Sequence, residues 1–299
     1  MTHDGRPALR LRALAIDTYQ DHVVYMHRDC HVCRAEGFAA LTRVEVAAGR
    51  SRILATLHVV GDRLLRVDEV ALSTAAWRAL GAQEGDAVTV SHAPPLPSLS
   101  LLRRKIYGHR LADDEWRAIV TDIAAGRYAD LHLAAFVTAC VGDRVTPEEG
   151  IALTRAMADV GERLSWPQRP VLDKHSVGGL SGNRTTPLVV AIVAAAGLTI
   201  PKTSSRAITS PAGTADAVET LTPVDLNLGS MRRVVDQEGG CLVWGGRVRL
   251  SPADDVLIRV ERPLDLDSDA QLVASVLSKK LAAGATHVLI DMPVGPTAK

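Results

Sequence analysis

Aromatic side chains are scarce, at 3% of 299 residues, so any core must be built mainly from Ala, Val, Leu and Ile. No run approaches the roughly 18 consecutive apolar residues of a membrane-spanning helix. The first residues, MTHDGRPALRLRALAID, alternate polar and apolar and lack the continuous apolar segment of a secretory signal. Four cysteines are too few in a chain of this length for a disulfide framework. Neither sign of charge is in excess, with Lys plus Arg and Asp plus Glu at 34 each. That balance removes the electrostatic argument for nucleic acid or a membrane surface as a partner. Together these absences make the cytoplasm the expected location. What is present, 47% apolar and 23% charged residues, is ordinary globular composition. The length suits two or more domains of roughly 100–200 residues.

The pattern changes twice along the chain. Residues 1–92 read as a β-rich module. In TRVEVAAGRSRILATLHVV, Val44 and Val46, then Ile53, Leu57 and Val59, fall on period-two spacing around an Ala-Gly-Arg turn, which predicts a hairpin. A strand, a short helix capped by Ser73 and closed at Gly81, and a last strand follow, an order similar to small double-psi barrel modules. APPLPSLS (93–100) reads as a linker. Helical periodicity then begins. Asp113 is expected to cap a helix burying Trp116, Ile119, Val120 and Ile123, and Asp130 to cap the next. Thr146-Pro147 with Glu149 forms a capping box with proline at the first helical position. After about residue 170, strands alternate with helices, which predicts a parallel sheet with helices on its faces. The expected fold class is therefore α/β with an all-α domain and an N-terminal β-barrel-like module. The helical domain is assigned to 97–166 plus about 252–284, and the α/β domain to 170–250 plus 286–299.

One stretch carries chemistry: DKHSVGGLSGNRTTP, Asp173 to Pro187. A glycine loop after a strand lies at the carboxyl edge of a parallel sheet, where open α/β folds bind ligands. Thr186 is placed to cap a helix over 187–196, whose N-terminus is an anion site. Lys174 supplies charge, Ser176 and Thr186 supply hydroxyls, and the Gly-Lys-Ser/Thr ending of a P-loop is missing. The bland alternative is a glycine-rich turn with solvated charges. SSRAITSPAGTAD (204–216) repeats the logic with hydroxyls ahead of a helix start, against the alternative of a Ser/Thr-rich capping loop.

These two stretches, together with QLVASVLSKK, resemble the nucleoside phosphorylase family that contains thymidine and pyrimidine-nucleoside phosphorylases and archaeal AMP phosphorylase. The resemblance runs from about residue 97 to the end. It implies cleavage of a base–sugar bond by phosphate, with inorganic phosphate as co-substrate and neither cofactor nor metal. Positions matching the family's phosphate site are Lys174, Ser176, Thr186, Ser204 and Thr214. Positions matching nucleotide contacts in the AMP-cleaving branch are Gly179, Ser205, Arg206, Ala207, Ile208, Thr209, Ser210, Thr214, Ser275 and Lys299, and an acid of that branch matches Asp267. Asp267 would protonate the leaving base if burial or its neighbours Asp265 and Asp269 raised its pKa; otherwise Asp267-Ser268 is a helix cap. Lys279 lies four residues after Ser275 on one helix face and joins the substrate-binding set, or is merely a solvated lysine.

The Arg-Asp pair with which pyrimidine-specific members grip the base is here Arg262 followed by Pro263, and the family's glycine-rich loop is here SRAITSPAGT. Both lean toward a nucleoside 5′-monophosphate such as AMP, giving free base and ribose 1,5-bisphosphate, with Arg206 on the 5′-phosphate. Thymidine phosphorolysis is the alternative, and a nucleotide-binding regulatory module without turnover is the alternative from another class. The family resemblance also implies a homodimer and a C-terminally truncated chain. A Cys-x-x-Cys at Cys30 and Cys33, near His27 and His31, is half of a zinc-site pattern or an ordinary reduced pair on a β turn.

Overall fold

The computed structural model describes residues 8–19, 21–61, 63–177, 184–204, 206, 213–266 and 268–296. The chain divides into two compact units, 1–96 and 97–299.

The first unit is a closed barrel. Its strands are β1 (Leu9–Arg12), β2 (Val23–His27), β3 (Arg43–Ala48), β4 (Ser51–Val60), β5 (Glu69–Leu72) and β6 (Ala87–His92), in the order β1-β5-β2-β4-β3-β6. β3 and β4 are the expected hairpin, with Ala48 opposite Ser51 at its turn. Its alternation puts Val44, Val46, Ala55 and Leu57 fully inside. Helix α1 (His31–Glu36) follows β2 and helix α2 (Thr74–Leu80) precedes β6. The Ser73 hydroxyl accepts from the Ala76 N–H, and Gly81 closes α2 with a left-handed φ of 67°, as the sequence predicts. Cys30 and Cys33 lie on α1 and at its start rather than on a β turn, both buried in the barrel core. The Cys33 thiol donates to the Met26 sulfur at 4.0 Å, and its nearness to Cys30 lowers the Cys30 pKa to about 6 and raises that of Cys33. No group of three or more His, Cys, Asp or Glu that could hold a metal occurs among the described residues.

The second unit opens with α3 (Ser98–Ile106), α4 (Asp113–Ala124), α5 (Asp130–Ala139) and α6 (Pro147–Asp159). Trp116, Ile119, Val120 and Ile123 line one face of α4 and are fully buried, with Trp116 edge-on to Phe136 of α5 at 6.0 Å. The capping box forms as read: the Glu149 N–H donates to the Thr146 hydroxyl at 3.3 Å, and the Glu149 carboxylate accepts from the Thr146 N–H at 3.1 Å. Two other caps differ. Asp113 and Asp130 are the first helical residues, with Ala112 and Ala129 at the cap positions. There a carboxylate favours the positive end of the helix dipole without capping a backbone amide. At α4 that amide service comes from Glu115, which accepts from the Ala112 N–H at 2.9 Å.

The alternating region forms parallel strands β7 (Leu172–Ser176), β8 (Ile200–Ser204), β9 (Gly240–Trp244) and β10 (His287–Asp291). β7 pairs with β10 and β8 with β9, and among the described residues a parallel bridge, Val171 to Thr199, links the two pairs. Between the strands lie α7 (Thr185–Ala195), α8 (Thr214–Glu219), α9 (Leu228–Glu238), α10 (Gly245–Val248), α11 (Pro252–Leu264) and α12 (Asp269–Ala282). α12 packs on α6, and α11 on α4 and α5, so the late helices join the early ones. Helix α7 starts at Thr185 with Arg184 at its cap position, which puts Thr186 in the first turn instead of at the cap. Among the described residues no helix is long and apolar enough to cross a membrane.

Candidate active site

The register of β7 against β10 places Ser176 opposite Asp291 and Lys174 opposite Leu289, so the polar ends of both strands meet at the carboxyl edge of the sheet. Side chains two apart on a strand share a face, and Lys174 and Ser176 do: the Lys174 ammonium donates to the Ser176 hydroxyl. It also reaches the Thr186 hydroxyl in the first turn of α7 at 3.4 Å and the Asp291 carboxylate at 2.8 Å. The Ser176 hydroxyl donates to Asp291 at 2.9 Å. These bonds from Lys174 and Ser176 hold the Asp291 carboxyl below its ordinary pKa. Three residues predicted from the sequence, Lys174, Ser176 and Thr186, are thus brought together around the Lys174 ammonium, and two of them, Lys174 and Ser176, hold the Asp291 carboxylate. Asp291 was not foreseen, because nothing in its local sequence distinguishes it from a solvated strand-end acid.

His175, between Lys174 and Ser176, points to the other face of β7. Burial, and the charges of Lys280, Lys202, Lys279 and Lys174, push its pKa down to about 3, so the ring is a neutral imidazole at physiological pH. The sequence shows this histidine plainly; what it hides is the ring of lysines.

Of the second stretch, Ser204 ends β8 and Thr214 opens α8. The described contacts tie neither to Lys174. Arg206 donates to the Glu219 carboxylate through Nη1 at 2.5 Å and Nη2 at 2.7 Å, and to Asp216 at 3.1 Å. Its guanidinium also stacks 4.9 Å over the Trp244 ring. Both carboxylates raise its pKa, Glu219 foremost. On α12 the Lys279 ammonium reaches the Ser275 hydroxyl at 3.5 Å, as their spacing predicts. Lys279 is not a solvated lysine: it pairs with the buried Asp254 carboxylate at 2.5 Å. Neighbouring Asp255 has its carboxyl pushed up to about 6, chiefly by burial; the sequence reading did not single it out. Gly179, Ser205, Ala207, Ile208, Thr209, Ser210, Asp267 and Lys299 lie outside the described residues.

Comparison with known proteins matches this arrangement on both halves of the second unit. Residues 99–161 match the helical bundle domain of a glycosyl transferase family, and residues 168–298 match the α/β domain of a glycosyl transferase family. A protein of Polaromonas sp. named "Putative thymidine phosphorylase" is 65% identical over 291 residues, covering 97% of this chain. One of Acidovorax sp. named "Putative thymidine phosphorylase 2" is 64% identical over 298 residues, covering all of it. The chain spans 57% and 58% of the lengths of these two relatives. The crystal structure of anthranilate phosphoribosyltransferase from Thermus thermophilus superposes with a TM-score of 0.55 at 24% identity, over 65% of this chain and 58% of that one. At that identity the likeness is one of fold.

Proposed function

The chain belongs to the glycosyl transferase family whose helical-bundle and α/β domains it carries, in its thymidine and pyrimidine-nucleoside phosphorylase-like group, and on that premise we propose that its site transfers a pentosyl group from a nucleoside to inorganic phosphate. Thymidine and phosphate would give thymine and 2-deoxyribose 1-phosphate. The observation that carries this reading is the meeting of Lys174, Ser176 and Thr186 at the carboxyl edge of the sheet. An anion there is held by one ammonium and two hydroxyls, donors suited to phosphate oxygens and needing no metal. Phosphate displaces the Asp291 carboxylate from Lys174 and Ser176 and is fixed for attack on the sugar carbon that bears the base. Such orientation, with preorganised charge, supplies much of the rate in reactions of this kind. The departing base gains negative charge and needs a proton or a cation; Asp267 fills that role in this reading, and Ser275 with Lys279 lies on the substrate side.

Arg206 favours a substrate without a 5′-phosphate. Two carboxylates already oppose its charge, so a dianionic phosphate would have to displace them. The nucleotide reading, resting on the run Ser205 to Ser210, makes the opposite prediction for this residue. The deciding experiment measures phosphate-dependent release of thymine from thymidine and of adenine from AMP, by the chain and by Arg206→Ala. Thymine release that survives Arg206→Ala is expected. Adenine release lost selectively in Arg206→Ala would replace the nucleoside reading with the nucleotide one. Calorimetric binding of phosphate with no release of either base would point to a binding module, and absence of both would sink the assignment of the cradle.

A further inference from the structure

The cradle carries an acid of its own. Asp291 ends β10, and the register of that strand sets it opposite Ser176. The Lys174 ammonium at 2.8 Å and the Ser176 hydroxyl at 2.9 Å meet the same carboxylate oxygen, Oδ2. An ionised carboxylate offers roughly four lone-pair positions on its two oxygens and donates nothing. Among the described residues, both of its hydrogen-bond donors fall on Oδ2, which leaves acceptor positions to spare. Its side chain is 32% exposed, against 5% for that of Lys174, so a ligand from solvent can reach it.

This acid cannot leave the site. Five residue pairs join β10 to β7, and the Asp291 carbonyl accepts the Val177 N–H at 2.9 Å just beyond them. An anion entering between Lys174 and Ser176 can turn the carboxylate aside by rotating its side chain, but the backbone keeps it within reach. Asp291 also stays ionised, because the same two donors favour its charged form. A fixed negative group beside an anion site repels most anions. It favours one kind: an oxyanion that retains a proton, whose O–H can donate to the carboxylate.

We propose that Asp291 is a specificity-determining residue of the cradle, accepting a hydrogen bond from the protonated oxygen of inorganic phosphate and thereby excluding oxyanions that carry no proton. Near neutrality phosphate keeps at least one proton and sulfate keeps none. Lys174 and Ser176 take ionised oxygens of phosphate, and Asp291 takes its hydroxyl. Sulfate has nearly the same size and shape, yet it would set an ionised oxygen against the carboxylate. Selectivity thus comes from a repulsive element as much as from the attractive ones. The inference rests on the phosphorolysis reading for the use made of the bound phosphate, but not for the choice of anion.

Calorimetric titration of this chain with phosphate, arsenate, sulfate and selenate near neutral pH is the test. Phosphate and arsenate keep a proton there, sulfate and selenate do not, and each pair contains a smaller and a larger anion. The protonated pair should bind at least roughly tenfold more tightly than the other, the scale of one hydrogen bond to a charged group. In Asp291→Asn, whose amide can donate to an ionised oxygen, sulfate and selenate should gain affinity and the preference should vanish. A merely structural Asp291 would instead shift all four affinities together, and that result overturns the proposal. Sulfate binding as tightly as phosphate in the unaltered chain also overturns it, whether or not the variant folds. Binding needs no turnover. Phosphate preferred over sulfate without release of thymine or adenine would therefore count against phosphorolysis alone. Base release beside equal binding of all four anions would count against the role of Asp291 alone, and binding of none of them would sink both.

Discussion

Replacing Lys105 with Met should destabilise the second unit by about 3 kcal/mol. Lys105 on α3 and Glu149 on α6 are almost wholly buried, and the ammonium reaches both carboxylate oxygens, at 2.7 and 2.8 Å. It also sits 5.5 Å from the centre of the Trp116 ring. Removing one partner of a buried pair costs about 3–5 kcal/mol, because the other is left charged without compensation. The lower end applies here, since Glu149 keeps the Leu111 N–H at 2.9 Å and the Thr146 N–H at 3.1 Å. For a unit of this size, a melting point moves by about 2–4 °C per kcal/mol, so a fall of about 6–12 °C is expected by circular dichroism. The effect has a pH signature. Burial pushes the Glu149 carboxyl up, but the Lys105 ammonium and the two amides outweigh it and hold the pKa below 4.5. A depressed carboxylate contributes stability that is present above its unfolded value and lost as pH falls through the folded one. Without Lys105 the carboxyl rises and that loss begins at higher pH. A destabilisation below about 1 kcal/mol would refute the reasoning, showing that the two amides alone suffice for the buried charge.

Three further outcomes follow from the geometry. Lys174→Met should weaken inorganic phosphate binding roughly 10- to 150-fold by calorimetry, the worth of about 1.5–3 kcal/mol for a hydrogen bond to a charged group; unchanged affinity would remove Lys174 from the cradle. Gly284 has a φ of 79°, and a Cβ there would lie 2.5 Å from the Leu164 carbonyl oxygen. Gly284→Ala should therefore cost about 2–4 kcal/mol in urea unfolding, from the left-handed backbone and the overpacking together, and a loss too small to measure would contradict this packing. His175→Gln should flatten the loss of stability on acidification: with a folded pKa of about 3, the native ring resists a proton that the unfolded chain accepts near 6.5, so stability falls as pH drops between those values. Equal acid sensitivity of both proteins in urea titrations would show that the ring is not what the lysines act on.

The parts of this molecule that were legible in the sequence are those whose signals are local. The β3–β4 hairpin announces itself by alternation, and the Ser73 and Thr146 caps by a hydroxyl at one position and its partner three residues on. The Lys174, Ser176 and Thr186 group is also local, since one strand, one loop and one helix start carry all three. β2 shows no alternation, because every one of its residues is buried, so the barrel's closure was readable only as a likeness. Helix α7 is apolar from Pro187 onward, yet Leu188 and Ile192 are exposed, so its composition alone does not tell which face is covered. Buried charge was the least legible. Lys105 and Glu149 are 44 residues apart, and Lys202 and Lys280 meet Asp173 across 29 and 107; by composition each is indistinguishable from a solvated side chain. Arg206 was visible as a cation, but its partners Asp216 and Glu219 stand 10 and 13 residues further on, in α8, with nothing local to mark the pairing.

The two-sidedness of β7 makes the site unusually sensitive to strand alignment. Alternate residues of five consecutive positions divide into one face that holds an anion and another that is fixed by buried lysines. A slip of one residue against β10 would exchange the faces. Asp173 and His175 would then confront the incoming anion, and Lys174 would enter a chamber already holding two ammonium groups. Either exchange would set like charges side by side, so the charge pattern disfavours the slipped register.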